Sequence, residues 1–198
     1  MYKRQFQFNN EYYLQKSGAA MGHAYCVHCA NIFLANWEMT ALRNYPIKPF
    51  LWFRFIDDII MVWVHSKESF MQIFDYLNNL TPSIKLTYEF DYHSIDFLDV
   101  TIFKGPRYFD CNIFDTKVFF KPTDRHQLLH MSSYHPGHTF KSVVKSQVLR
   151  FSRICNNQSD FDDATSILFQ SLYKRGYSRR MLRSIKSDIN SRQDKTLR

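Results

Sequence analysis

The sequence predicts an α+β fold, with strands and helices mixed through residues 1–120 and helices alone through residues 121–198. Three observations lead there. Alternating runs rich in aromatic and β-branched residues recur up to Phe120, the pattern of half-buried strands. Beyond Lys121-Pro122-Thr123-Asp124 the apolar residues fall at helical spacing. Charge divides at the same place. Residues 121–198 carry 15 Lys and Arg against 6 Asp and Glu, a net of +9, whereas residues 1–120 carry 11 against 12. A chain of 198 residues with 17% aromatics and only 5 glycines can bury a core, which excludes a linker or a disordered tail.

Taken in order, Phe6 to Leu14 reads as strand, turn and strand, followed by a loop containing Gln15, Gly18 and Gly22. Residues 24–43 read as a helix whose apolar stripe is Val27, Ala30, Ile32, Phe33 and Trp37. Pro46 and Pro49 mark its exit. Strands at 51–56 and 59–64 flank Asp57-Asp58. Ser66 is placed to cap a helix carrying Phe70, Ile73, Phe74, Leu77 and Leu80, which Pro82 ends. Residues 84–90 alternate as a strand, and 96–103 reads as another that turns at Gly105-Pro106 and returns through 112–120.

Three helices follow. The first, 139–155, offers Phe140, Val143, Val144, Val148, Phe151 and Ile154 to a core and leaves Lys141, Lys145, Arg150 and Arg153 outside. The second, 160–175, stops before Gly176, a natural C′ residue. The third begins at Ser178 with Met181, Leu182, Ile185 and Ile189. A basic lobe beside a neutral, aromatic-rich one is the footprint of a nucleic-acid binder.

Asp57 and Asp58 are the sharpest chemical signal. Two carboxylates between greasy strands need protons or a counter-charge, and divalent cations supply one in two-metal phosphoryl transfer. The alternative is a solvated hairpin tip, although such tips favour Asn-Gly or Asp-Gly and no glycine stands here. The longest apolar run, Ile59 to Val64, is too short to span a bilayer, and the N-terminus lacks the apolar stretch of a secretory signal. Four cysteines without framework spacing suit a reducing compartment, so an intracellular protein without a membrane partner is expected. Cys26 and Cys29, with His23 and His28 nearby, lack the second ligand pair of a structural zinc site and read as buried free thiols.

Several segments carry a family resemblance. Gln15-Lys16-Ser17-Gly18-Ala19-Ala20-Met21-Gly22, followed by Ala30-Asn31-Ile32-Phe33, is similar to the glutamine–glycine motif of reverse transcriptases. Arg54-Phe55-Ile56-Asp57-Asp58 resembles the family's Arg-Tyr-Ile-Asp-Asp, and Ile95-Asp96-Phe97-Leu98-Asp99-Val100-Thr101-Ile102 its primer-contacting hairpin. Phe120-Lys121-Pro122-Thr123-Asp124, Leu129 to Pro136, and Ser146-Gln147-x-x-Arg150-x-x-Arg153-Ile154-Cys155 are similar to the start of the thumb in reverse transcriptases of Penelope-like retroelements. The match runs from Phe6 to Gly176. The last helices resemble the helix-turn-helix-type module appended to this family's palm.

The resemblance implies a partial polymerase palm over 1–120, an antiparallel sheet with packed helices, and a basic thumb over 121–198. It implies Asp57 and Asp58 as catalytic Mg²⁺ (or Mn²⁺) ligands and Gln15, Gly18, Met21 and Gly22 at the template and nucleotide. It also implies a primer grip at Phe97, Leu98 and Asp99, and places Lys121, Arg125, Lys141, Lys145, Arg150 and Arg153 on phosphates. Lys85 could protonate a leaving pyrophosphate or be an ordinary surface lysine. The expected partners are an RNA template and a DNA primer, in the nucleus. Two departures stand out. The family's third carboxylate belongs on a strand before Gln15, where Glu11 is the only acid, and Cys26-Val27 replaces Ala-Pro. A fragment lacking the fingers and first palm strand is therefore expected, inactive alone and completed by the missing segment of a longer chain. The competing expectations are a non-enzymatic nucleic-acid-binding remnant of helix-turn-helix type and a structural partner of another protein.

Overall fold

The computed structural model describes residues 5–16, 18 and 24–196. The chain forms two compact units, Met1–Tyr88 and Glu89–Arg198, so the compositional break at 120/121 falls inside the second. Both mix strands and helices, with small antiparallel sheets.

In the first unit β1 (Gln5–Phe8) and β2 (Glu11–Leu14) form a hairpin. Its corner residues Asn9 and Asn10 both take positive φ, 52° and 62°, which asparagine tolerates and a two-residue hairpin turn requires. Helix α1 (Ala24–Asn44) follows. Its expected stripe is covered only at Trp37, with Ala41 beside it in the core; Val27, Ile32 and Phe33 are exposed. Helical spacing showed a coherent face without showing what covers it.

Strands β3 (Leu51–Phe55) and β4 (Asp58–Val62) pair from Leu51↔Val62 to Phe55↔Asp58, so the turn itself is Ile56-Asp57. One face of this ribbon, carrying Trp52 and Arg54, meets α1 through Glu38. The other carries the exposed Phe53 and Phe55. Helix α2 (Lys67–Leu80) starts at the expected cap, where the Ser66 hydroxyl accepts from the Ser69 N–H at 3.2 Å, and it buries Phe70, Ile73 and Leu77.

Residues 84–90 keep the expected alternation at Ile84, Leu86 and Phe90, with Tyr88 exposed, but form no strand. In place of a neighbouring strand, the Asn78 side chain takes the Leu86 N–H at 2.7 Å and donates to its carbonyl at 3.3 Å. Side-chain pattern alone therefore misled, because a ladder needs a partner backbone.

The second unit opens with β5 (Ser94–Phe97), β6 (Val100–Phe103) and β7 (Asp115–Val118), ordered β5-β6-β7. The continuous strand expected at 96–103 is itself a hairpin, reversing at Leu98-Asp99. Gly105-Pro106 opens a short helix, α3 (Pro106–Cys111), where a simple turn was expected. Gly105 is required there: a Cβ would lie 2.1 Å from Oδ2 of Asp115, a fully buried carboxylate whose Oδ1 receives the Arg107 Nε–H at 2.5 Å.

Helices α4 (Gly137–Ile154), α5 (Gln158–Lys174) and α6 (Arg179–Thr196) complete the unit. They share one core. Phe140, Val144, Val148 and Phe151 of α4 meet Phe161, Ala164, Leu168 and Leu172 of α5, with Leu182, Ile185 and Ile189 of α6. Each fully buried leucine contributes about 2 kcal/mol. The sheet belongs with these helices because Asn156, between α4 and α5, acts as a strand partner for β7. It exchanges bonds with the Thr116 backbone at 2.7 and 3.0 Å.

Candidate nucleic-acid interface

In the first unit the candidate site is the Phe55–Asp58 turn. Only its first corner residue has positive φ, Ile56 at 56°, the position glycine fills in a type II′ turn. A β-branched residue there is an outlier that costs about 1–3 kcal/mol and must be held by its surroundings. Arg54 does the holding. Its guanidinium donates to the Ile56 carbonyl at 2.7 Å and to Asn31 Oδ1 at 2.9 Å, and its Nε lies 2.9 Å from Glu38, an ion pair too bent for a hydrogen bond. Trp52 Nε1 donates to the other Glu38 oxygen at 2.7 Å. Asn31 and Glu38, seven residues apart on α1, thus hold two edges of one guanidinium.

The grip presents Asp57 and Asp58 to solvent, and both are exposed. The expected desolvated corner is corrected: the carboxylates avoid the burial penalty by hydration. Among the described residues no group of three or more His, Cys, Asp and Glu gathers around a metal position. Two exposed carboxylates suit a Mg²⁺ ion only where water and nucleotide phosphates complete its shell.

Of the proposed template residues, Gln15 is half-buried and Gly18 has φ 75°; Met21 and Gly22 lie outside the described residues, as does His23. Lys85 is exposed and donates to the Asn78 carbonyl at 2.7 Å. Cys29 is exposed and Cys26 half-buried, so neither is the buried thiol expected.

In the second unit the Leu98-Asp99 corner repeats the geometry of Ile56-Asp57, with Leu98 at φ 58°. Its carboxylate is not free, because Arg150 of α4 is ion-paired with Asp99. The expected phosphate contacts do not form one cluster. Lys121, Arg125, Lys141, Lys145, Arg150 and Arg153 are all exposed. At 100° per residue, however, Lys141 and Arg150 stand about 180° apart on α4.

A more coherent cationic face lies on α6, which sequence reasoning missed. Helix α5 ends in a Schellman motif: the Gly176 N–H bonds the Tyr173 carbonyl at 3.1 Å and the Tyr177 N–H bonds the Leu172 carbonyl at 3.2 Å, with Gly176 at φ 90°. Ser178 then caps α6, accepting from the Met181 N–H at 3.3 Å. Four residues, 175–178, separate the helices.

Burial fixes the Tyr177 ring and raises its hydroxyl above the ordinary tyrosine range. The neutral group donates to the Leu129 carbonyl at 2.9 Å, tying the preceding segment to the turn. With Leu182, Ile185 and Ile189 inside, α6 turns Arg179, Arg180, Arg183, Ser184, Ser187 and, in its third turn, Asp188 outward. Arg179 stacks on Tyr173 at 4.6 Å, whereas Lys186 is held by Asp162 at 2.6 Å. The signal that could have found this face was Arg179-Arg180-x-x-Arg183 directly after the Ser178 cap.

Two helices joined by a tight glycine-containing turn, the second basic on its outer face, define a helix-turn-helix module. Comparison with protein families agrees: the animal helix-turn-helix domain matches residues 127–187, from the segment before α4 into α6. No curated protein and no solved structure matches the chain. The match points to nucleic-acid binding. Among the described residues no helix is long and apolar enough to cross a membrane.

Proposed function

We propose that the chain binds a nucleic-acid duplex through its second unit, with α6 as the helix presented to the groove. The outward face of its first two turns, Arg179, Arg180, Arg183 and Ser184, carries this reading, since it combines arginine and serine donors without an acid, the first exposed acid being Asp188 in the third turn. Arginine pairs bidentately with guanine edges and with phosphate, and serine accepts or donates to either. Fluorescence anisotropy with a 16-base-pair DNA duplex tests it. Arg180→Ala with Arg183→Ala is expected to weaken binding at least about tenfold and to flatten the salt dependence by about two ions. Unchanged affinity and salt slope would overturn it.

A finer reading rests on the Arg54-clamped turn at Ile56. We propose that the chain is a fragment of a reverse transcriptase from a Penelope-like retroelement, with a partial palm over 1–120 and a thumb over 121–198. In this reading Asp57 and Asp58 would hold Mg²⁺ or Mn²⁺, which would activate a primer hydroxyl by Lewis acidity. Gln15, Gly18, Met21 and Gly22 would meet template and nucleotide. Phe97, Leu98 and Asp99 would meet the primer, and Lys121, Arg125, Lys141, Lys145, Arg150 and Arg153 the backbone of an RNA–DNA hybrid in the nucleus. Two carboxylates do not make a complete site, so the chain alone is expected to extend no primer. Joined to an in-frame upstream segment carrying an acid-bearing strand, it is expected to copy RNA into DNA and to lose that activity with Asp57→Asn. Extension by neither chain, or extension indifferent to that substitution, would overturn the polymerase reading.

A further inference from the structure

Among the described residues, arginines are held in place in two ways. Arg54, Arg107 and Arg150 are each paired with a carboxylate, that of Glu38, Asp115 and Asp99 respectively. Such a partner takes up hydrogen-bond donors and cancels the charge. Arg179 is held by a ring instead, with its guanidinium carbon 4.6 Å from the centroid of Tyr173. Stacking uses the flat face of the guanidinium and leaves its in-plane N–H groups, and its charge, available to a ligand.

The local fold makes this stack. Tyr173 stands in the last turn of α5 and Arg179 is the first residue of α6. The chain reversal at Gly176, φ 90°, lets side chains six positions apart meet. A side chain in the first turn of a helix leans back towards the N-terminus, which carries Arg179 over the turn. Tyr173 is 52% exposed and Arg179 is exposed, so the pair lies at the surface. From Ala164 to Ser187 the chain has no acid, so sequence neighbours supply no carboxylate to draw the guanidinium off the ring.

A guanidinium with a fixed plane favours a ligand that offers two acceptors in one plane. Guanine does so in the major groove, with O6 and N7. A phosphate, with oxygens on several sides, accepts from many orientations and gains less from a fixed plane. Fixing the side chain before binding also removes part of the ordering cost.

We propose that Tyr173 is a positioning residue that holds Arg179 for a guanine edge, so that the chain selects a G·C pair at one position of the duplex. The inference deepens the reading of α6 as the helix presented to the groove, and rests on it.

Selection by the full chain from a randomised 16-base-pair DNA pool, followed by anisotropy with the selected duplex, tests it. A guanine is expected to dominate one position. Replacing it with 7-deazaguanine, which lacks the N7 acceptor, is expected to weaken binding about tenfold. Tyr173→Leu and Arg179→Lys are expected to erase the preference and weaken the selected duplex about fivefold, while a duplex with A·T at that position binds wild type and Tyr173→Leu equally. Tyr173→Phe keeps the ring and is expected to keep the preference. A preference that survives Tyr173→Leu or is lost in Tyr173→Phe, equal weakening of both duplexes by Tyr173→Leu, or indifference to 7-deazaguanine would overturn the inference. So would binding without base preference; the α6 reading would then still stand if Arg180→Ala with Arg183→Ala lowered affinity. Absence of any duplex binding would overturn both.

Discussion

At Phe55-Ile56-Asp57-Asp58 the chain reverses with its first corner residue at φ 56°; at Phe97-Leu98-Asp99-Val100 it does so at 58°. Both corners follow a phenylalanine, use a bulky aliphatic residue where glycine is usual, and place an aspartate second. Their surroundings differ. The first sits on a two-stranded ribbon with one face exposed at Phe53 and Phe55, and its aspartate points to water. The second joins a three-stranded sheet backed by three helices, and its aspartate is paired with Arg150. A turn therefore sets where a carboxylate stands, while the packing around it decides whether that carboxylate is available to a ligand.

The contrast in packing yields the largest expected effect. Leu172→Ala, in the helical core, is expected to cost about 3 kcal/mol, whereas Phe53→Ala on the open ribbon face costs less than about 1 kcal/mol. Urea unfolding followed by circular dichroism would measure both; equal costs would mean that the ribbon face is covered in solution.

Next comes the shared corner. At positions 56 and 98 the glycine variant is expected to be more stable than the alanine variant by about 1 kcal/mol, the reverse of the order inside helices or strands. Alanine winning at either position would show that the left-handed corner is not kept in solution. A smaller effect separates the aspartates: Asp99→Asn loses a partly exposed ion pair worth about 0.5 kcal/mol, and Asp57→Asn loses none. Equal melting temperatures for the two variants would remove that distinction.

The smallest prediction concerns Asp162, whose hydrogen bond to Lys186 holds its carboxyl below the ordinary range. Stability from that pair is present above the unfolded carboxylate's pKa and is lost as pH falls through the lowered folded value. The pair is largely solvated, so acid unfolding should shift by only about a few tenths of a kcal/mol, and Asp162→Asn should remove that increment. An increment that persists in the variant would assign it to another carboxylate.

Local signals were legible where neighbours within about four residues decide the outcome. Ser66 caps α2, Gly176 ends α5, and Asn9-Asn10 turns the first hairpin, each at the position its chemistry required. The helical C-terminal part and its charge were equally plain. Reading failed where a distant partner decides. The 84–90 segment has the side-chain pattern of a strand, but its Leu86 backbone bonds the Asn78 side chain and its Ile84 N–H the Thr81 carbonyl. The strand that alternation suggests at 96–103 folds at Leu98, a corner no glycine announces, although the segment 95–102 resembles a hairpin. Of the candidate site, Asp57 and Asp58 were visible as residues, whereas the clamp that displays them joins Arg54 to Asn31, 23 positions away.

By itself the sequence determined the helices, their caps and the basic C-terminal surface, because these follow from spacing, capping groups and composition. Tertiary structure alone decided that Asp57 and Asp58 face water, that Arg150 is engaged by Asp99, and that Asp162 holds Lys186 of α6. Burial and ion pairing depend on which remote side chains arrive at the same place, and that information is spread over the whole fold.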